Sequence, residues 1–251
     1  MGEATHSQHR VESYRVEPGV RVYAIGDIHG RDDLLERMHA MIEADRMVPP
    51  SADAVVVYLG DYVDRGPCSC EVIDRLIRKP VKGCRAIHLR GNHEDMMLRF
   101  LDDAANDVWL ANGGLATLLS YGVAEAEQWI SFLGRDRQRF RDGLARLLPE
   151  THRRFLVGLT DSFVSGDYLF VHAGIRPGRP LDKQDPRDLM WIRGPFLACE
   201  EDFGKRVVHG HTITPEPEVL PNRIGIDTGA FFTGRLTCLV LEEDRMRFLA
   251  T

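Results

Sequence analysis

Asp27 and His29 stand two residues apart in Gly26-Asp27-Ile28-His29-Gly30, just past an apolar run. In extended chain, residues i and i+2 point the same way, so this carboxylate and imidazole can hold one cation. Asp61, in Gly60-Asp61-Tyr62-Val63-Asp64-Arg65-Gly66, ends a second apolar run in the same manner. If the two strands are neighbours, Asp61 lies beside Asp27 and His29 and can bridge two cations. Buried carboxylates packed together without a cation would repel strongly. Asn92, in Gly91-Asn92-His93-Glu94, offers a neutral oxygen after a third run. His172, in Val171-His172-Ala173-Gly174, and His211, in His209-Gly210-His211-Thr212, each follow a later run. Any one island is more often an ordinary turn, since Asp, Asn and Gly all favour turns. Five in order at strand ends make a metal centre. Mixed oxygen and nitrogen donors suit manganese, iron or zinc better than calcium or magnesium.

Two cations about 3.5–4 Å apart can clamp a phosphoryl oxygen and lower the pKa of a bridging water to about 7. The product is a hydroxide aimed in line at phosphorus. Arg65, four residues after Asp61, can grip phosphate bidentately, and Arg193 in Trp191-Ile192-Arg193 is a second candidate clamp. His93 can donate a proton to a leaving alkoxide. Asp64 can orient that imidazole and stabilise its charge.

The elements that must position these groups are legible in outline. Strands are expected at Val20–Ile25, Ala54–Leu59 and Arg85–Leu89, with helices at Arg31–Asp45, Glu71–Lys79 and Glu94–Leu101. The first three motif loops then follow the C-terminal ends of strands, where open α/β sheets place their sites. Residues 102–160, carrying Asn112-Gly113-Gly114, read as a helical insertion over one rim of the sheet. Short strands follow at Ser162–Val164, Tyr168–Val171, Arg206–Val208, Arg223–Ile226, Leu236–Leu241 and Met246–Leu249. These read as a second, mixed sheet with hairpins. The fold expected is α/β: two facing sheets with outer helices, in a single domain over 20–251 behind a flexible polar tail at 1–19.

The chain has 251 residues and a net charge of −6. That balance gives no electrostatic case for nucleic-acid binding. No apolar run approaches the roughly 20 residues of a bilayer span, and the polar N-terminus lacks a signal-peptide core. A cytoplasmic location is expected, with no membrane partner. Five scattered cysteines argue for reduced thiols; Cys68-Ser-Cys70, without a second pair, is a weak zinc signal.

Taken together, the five motifs from Gly26 to Thr212 resemble the phosphoprotein phosphatase family of calcineurin-like metallophosphoesterases. The resemblance implies a four-layer α/β/β/α sandwich and a dinuclear serine/threonine phosphatase centre that works without a phosphoenzyme. By motif position it implies that Asp27, His29 and Asp61 hold a first divalent metal, and Asp61, Asn92, His172 and His211 a second. His93 with Asp64 would be the acid pair, and Arg65, Arg193, Asn92 and His93 would meet the phosphate. Trp109-Leu110-Ala111-Asn112-Gly113-Gly114 and Met190-Trp191-Ile192-Arg193 look like the bacterial and phage branch, similar to lambda phosphatase. That likeness implies manganese, with iron or zinc as alternatives, and action on phosphotyrosine and small esters as well as phosphoserine and phosphothreonine. The third motif runs on as Glu94-Asp95, and the fourth as Ala173-Gly174-Ile175-Arg176 without the second glycine of the eukaryotic enzymes. Nothing matches the eukaryotic substrate grooves. Phosphorylated proteins or peptides are the expected partners. The alternative is a dinucleoside polyphosphate hydrolase such as one for diadenosine tetraphosphate, though such relatives commonly lack an acid at the position of Asp64. A non-catalytic scaffold would be expected to have lost a ligand or the acid, and here all are present.

Overall fold

A computed structural model describes residues 14–47, 53–123 and 137–251. The chain begins as β1 (Val20–Ile25), α1 (Asp32–Asp45), β2 (Asp53–Tyr58), α2 (Ser69–Arg78), β3 (Arg85–His88) and α3 (Asn92–Asp102). Within 102–160 lie a short turn of helix, Leu110–Gly114, then α4 (Leu115–Ser120), α5 (Arg137–Leu147) and α6 (Glu150–Val157). The remainder is β4 (Ser162–Ser165), β5 (Tyr168–Val171), α7 (Pro186–Trp191), α8 (Gly194–Leu197), β6 (Arg206–His209), β7 (Glu218–Val219), β8 (Arg223–Gly225), α9 (Ala230–Thr233), β9 (Thr237–Glu242) and β10 (Arg245–Ala250).

Two five-stranded sheets result, ordered β10-β9-β1-β2-β3 and β4-β5-β6-β8-β7. Strands β1, β2 and β3 run parallel, as their apolar runs predict for strands covered on both faces. The side chains alternate between two cores. Val22, Ala24, Val55, Val57 and Leu59 meet Phe170, Val208, Ile224 and Ile226 between the sheets. Tyr23, Ile25, Val56 and Tyr58 pack outward against Leu35, Met38, Val72 and Phe100 of the helices. On the far side of the second sheet, Val171 and Val207 pack against Leu189, Ile192 and Phe196. This is the expected α/β/β/α sandwich.

The structure departs from the sequence reading at four places. Strands β9 and β10 join the first sheet, with β9 antiparallel to β1, instead of extending the second. Their alternation shows a hairpin but not its partner, which is a long-range choice. Helix α3 starts at Asn92, not Glu94, so Asn92 and His93 occupy its first turn. Residues Tyr14–Gly19 are not tail-like: Val16 is 2% exposed and donates its N–H to Glu243 O. The rest of the expected tail, 1–13, lies outside the described residues. In the 102–160 segment, Leu118, Phe140, Leu144 and Leu156 share the core of α1–α3, so these helices continue the helical layer. Residues 124–136 lie outside the described residues. The five cysteines are free thiols. No helix of the described residues is long and apolar enough to cross a membrane.

Candidate active site

Parallel strands β1, β2 and β3 in one sheet, and β5, β6 and β8 in the other, end along a common rim. There the loops must turn sharply. Non-glycine residues with positive φ include His29 (46°), Asp61 (51°), Asp64 (74°), Arg65 (68°) and His211 (62°). Such backbone is costly for residues with a Cβ and clusters where function holds it in place. Gly60 (φ 104°) is required by close approach as well: a Cβ there would meet Gly91 N at 2.6 Å.

The imidazoles are fixed by their rear nitrogens. His29 Nδ1 donates to Val63 O at 2.8 Å, and His172 Nδ1 donates to Leu59 O at 2.8 Å. Their Nε2 atoms therefore face inward as lone pairs. His172 Nε2 lies 2.9 Å from Asn92 Oδ1, 3.2 Å from His211 Nδ1 and 3.4 Å from Asp61 Oδ1. His29 Nε2 lies 3.5 Å from Asp61 Oδ2. Burial holds His29 down to about 3 and His211 down to about 2, and lowers His172 as well, so all three are neutral bases at pH 7. Neutral imidazoles crowded against a carboxylate and an amide oxygen fit a cation. Asp61 belongs to both clusters, with His29 and His93 on one side and His172 and His211 on the other. A bridging carboxylate must occupy that position. Asp27, 2% exposed, accepts the backbone N–H of His211 at 3.1 Å, so its carboxylate faces the same rim from β1. The six residues expected to hold metal are thus brought to one rim; the compact groups that could hold a metal ion are His29, Asp61 and His93, and Asp61, His172 and His211, with Asp27 in neither.

His93 Nδ1 and Asp64 Oδ2 are 2.7 Å apart, both buried. Burial works to lower the His93 pKa, but Asp61 and Asp64 outweigh it and hold the imidazolium above its ordinary value. Asp64 also accepts from Trp109 Nε1 at 2.8 Å and Thr117 Oγ1 at 2.6 Å. Arg65 Nη1 donates to His29 Nε2 at 2.9 Å, with its guanidinium 4.9 Å from the centre of the Phe231 ring. Arg193 is exposed at the second-sheet side, with Nη2 3.3 Å from His211 O.

Four further residues complete the site. Glu94 accepts backbone N–H groups from Asp61 (2.9 Å), Tyr62 (2.7 Å), Val63 (3.2 Å) and Gly91 (3.0 Å), so it ties the Asp61 loop to α3. Its place beside His93 in the third motif was its only signal. Trp109 and Thr117 reach Asp64 from 45 and 53 residues away, and sequence spacing carries no trace of that. Asp227 ends the run Arg223–Ile226 and precedes Thr228-Gly229. Like Asp27 and Asp61 it is an acid at the end of an apolar run with glycine nearby, and that likeness is the signal the sequence offers for it.

The family model for calcineurin-like phosphoesterases matches residues 20–228. The bis(5'-nucleosyl)-tetraphosphatase PrpE of Anoxybacillus flavithermus is 30% identical over 238 residues, 87% of this chain and 89% of that protein. The serine/threonine-protein phosphatase 2 of Escherichia coli is 25% identical over 228 residues, 86% of this chain and 90% of that one. A crystal structure provisionally described as a diadenosine tetraphosphatase shares the fold. Its TM-score is 0.63 at 21% identity, with 94% of this chain and 98% of that one covered.

Proposed function

The chain belongs to the calcineurin-like phosphoesterase family, and from that premise we propose that it is a metal-dependent phosphomonoesterase acting on phosphorylated proteins or peptides. The observation that carries this reading is the buried His93–Asp64 pair at 2.7 Å. Serine and threonine alkoxides are poor leaving groups, and an imidazolium held above its ordinary pKa is the proton donor they need. Asp64 is itself locked by Trp109 and Thr117, so the imidazole has one orientation.

Asp27, His29 and Asp61 would hold one cation, and Asp61, Asn92, His172 and His211 the other. Manganese is the metal we assign to this oxygen–nitrogen donor set. Bound there, the metals supply Lewis acidity and an activated water. The protein does the rest. Asn92 and His93 present the first turn of α3 to the phosphate, and Arg65 and Arg193 flank it with positive charge. Every one of these groups but the arginines is buried.

A second reading rests on the relative named a bis(5'-nucleosyl)-tetraphosphatase, which is more similar than the one named a protein phosphatase. The two separate cleanly in one assay: turnover of a phosphoserine peptide and of diadenosine tetraphosphate, at matched concentration with manganese. Faster peptide turnover is expected. Faster dinucleotide cleavage would hand the site to the second reading.

A further inference from the structure

Asp227 sits at the rim beyond β8, in the opposite sheet from Asp27. The two strand ends touch: a Cβ on Gly26 would meet Ile226 O at 2.7 Å. Asp227 is 2% exposed. Its Oδ1 accepts the Gly229 N–H at 2.9 Å, while its Oδ2 is sealed from solvent and has no hydrogen-bond partner. Leaving a buried carboxylate oxygen without a partner is costly, because its lost hydration is not replaced. A Cβ on Gly26 would also lie 3.6 Å from Asp227 Cα, which puts Asp227 at the rim beside the chain that carries Asp27. Two adjacent buried acids, one with an idle oxygen, are a poor arrangement for a protein without a cation there.

We propose that Asp227 is a positioning residue for the cation held by Asp27, His29 and Asp61. Its free Oδ2 accepts a hydrogen bond from that cation's hydration shell, and its charge deepens the binding well. This rests on the metal-centre reading above. Three protein ligands leave a divalent cation short of a full shell, so waters must complete it, and outer acceptors orient such waters.

The test is manganese binding to metal-free protein by calorimetric titration, with thermal unfolding of the metal-free form alongside. Asp227→Asn keeps the bond to Gly229 N–H and removes the charge. Affinity at one of two sites should fall about 10–100-fold, the range for residues behind metal ligands, while the other site is unchanged. The metal-free variant should melt no lower than the wild type, because a buried repulsion has gone. A merely structural Asp227 would give the reverse, with a lower melting temperature and equal affinity, and would overturn the proposal. If Asp227→Asn does not fold, Asp227→Ser keeps an acceptor for Gly229 and is read the same way. Wild-type protein that binds no manganese would instead sink the metal-centre reading itself.

Discussion

His93 and Asp61 are one residue apart in kind, both close to phosphorus in the proposed reaction, yet they should fail differently. His93 Nε2 is 3.8 Å from Asp61 Oδ2, so it lies near enough to be mistaken for a ligand. Its Nδ1 is held by the buried Asp64 carboxylate, a rear contact that suits an acid and a ligand alike, so the substitution has to separate the two roles. His93→Asn should lower kcat by about 10²–10⁴, the usual contribution of a positioned acid, with two metals retained. Loss of one metal by elemental analysis would make His93 a ligand instead. Asp61→Asn removes the charge shared by both clusters, so metal content should fall at both sites. Full occupancy in that variant would exclude the bridge. Both residues stand out in the sequence as candidates, because a ligand or an acid must have a particular side chain. What the islands did not reveal is how each group is aimed. The rear contacts of His29 and His172 go to the carbonyls of Val63 and Leu59, and a carbonyl carries no residue identity to read.

At the scale of elements, the 102–160 segment changes meaning. Expected as a helical insertion over one rim of the sheet, it reaches the dyad: Trp109 and Thr117 hold Asp64, and Gly113 O accepts the Arg65 N–H at 3.3 Å. Trp109→Phe preserves the packed ring but deletes the indole N–H. It should lower kcat several-fold with KM little changed, and an unaltered kcat would show that Asp64 is positioned without it. A second device lies between α1 and β3, where Tyr58 is stacked on His88 and its hydroxyl meets His39 Nε2 at 2.9 Å. Burial lowers both imidazoles to about 4, against about 6.5 in an unfolded chain. Between those values the unfolded state binds more protons. Stability is therefore fully present above about pH 6.5 and is lost as pH falls towards 4. Denaturant midpoints of metal-free protein at pH 7.5 and 5.0 should differ accordingly, and His39→Gln should shrink the difference. A gap of the same size in that variant would exclude His39 as a source.

For the whole molecule, the important fact is where the ligands come from. Asp27, His29, Asp61 and Asn92 follow strands of the first sheet, whereas His172 and His211 follow strands of the second. A second cation held there would join the two sheets across their shared rim, on top of the apolar core that Val57 and Phe170 already build between them. Strand patterning showed that there were two sheets. It did not show that β9 and β10 close the first one, and so that this sheet carries both chain ends of the described fold. A ligand that binds only the folded state stabilises it by about 2.7 kcal/mol when present at 100 times its dissociation constant. For a domain of this size that is roughly 5–10 °C in melting temperature per site. Thermal unfolding with manganese and with a chelator should differ by at least this much. His211→Ala should abolish the part due to the second cation while sparing the first. Equal melting temperatures for the wild type in the two conditions would mean that manganese does not bind the folded protein at the concentration used, and the metal-centre reading would fall.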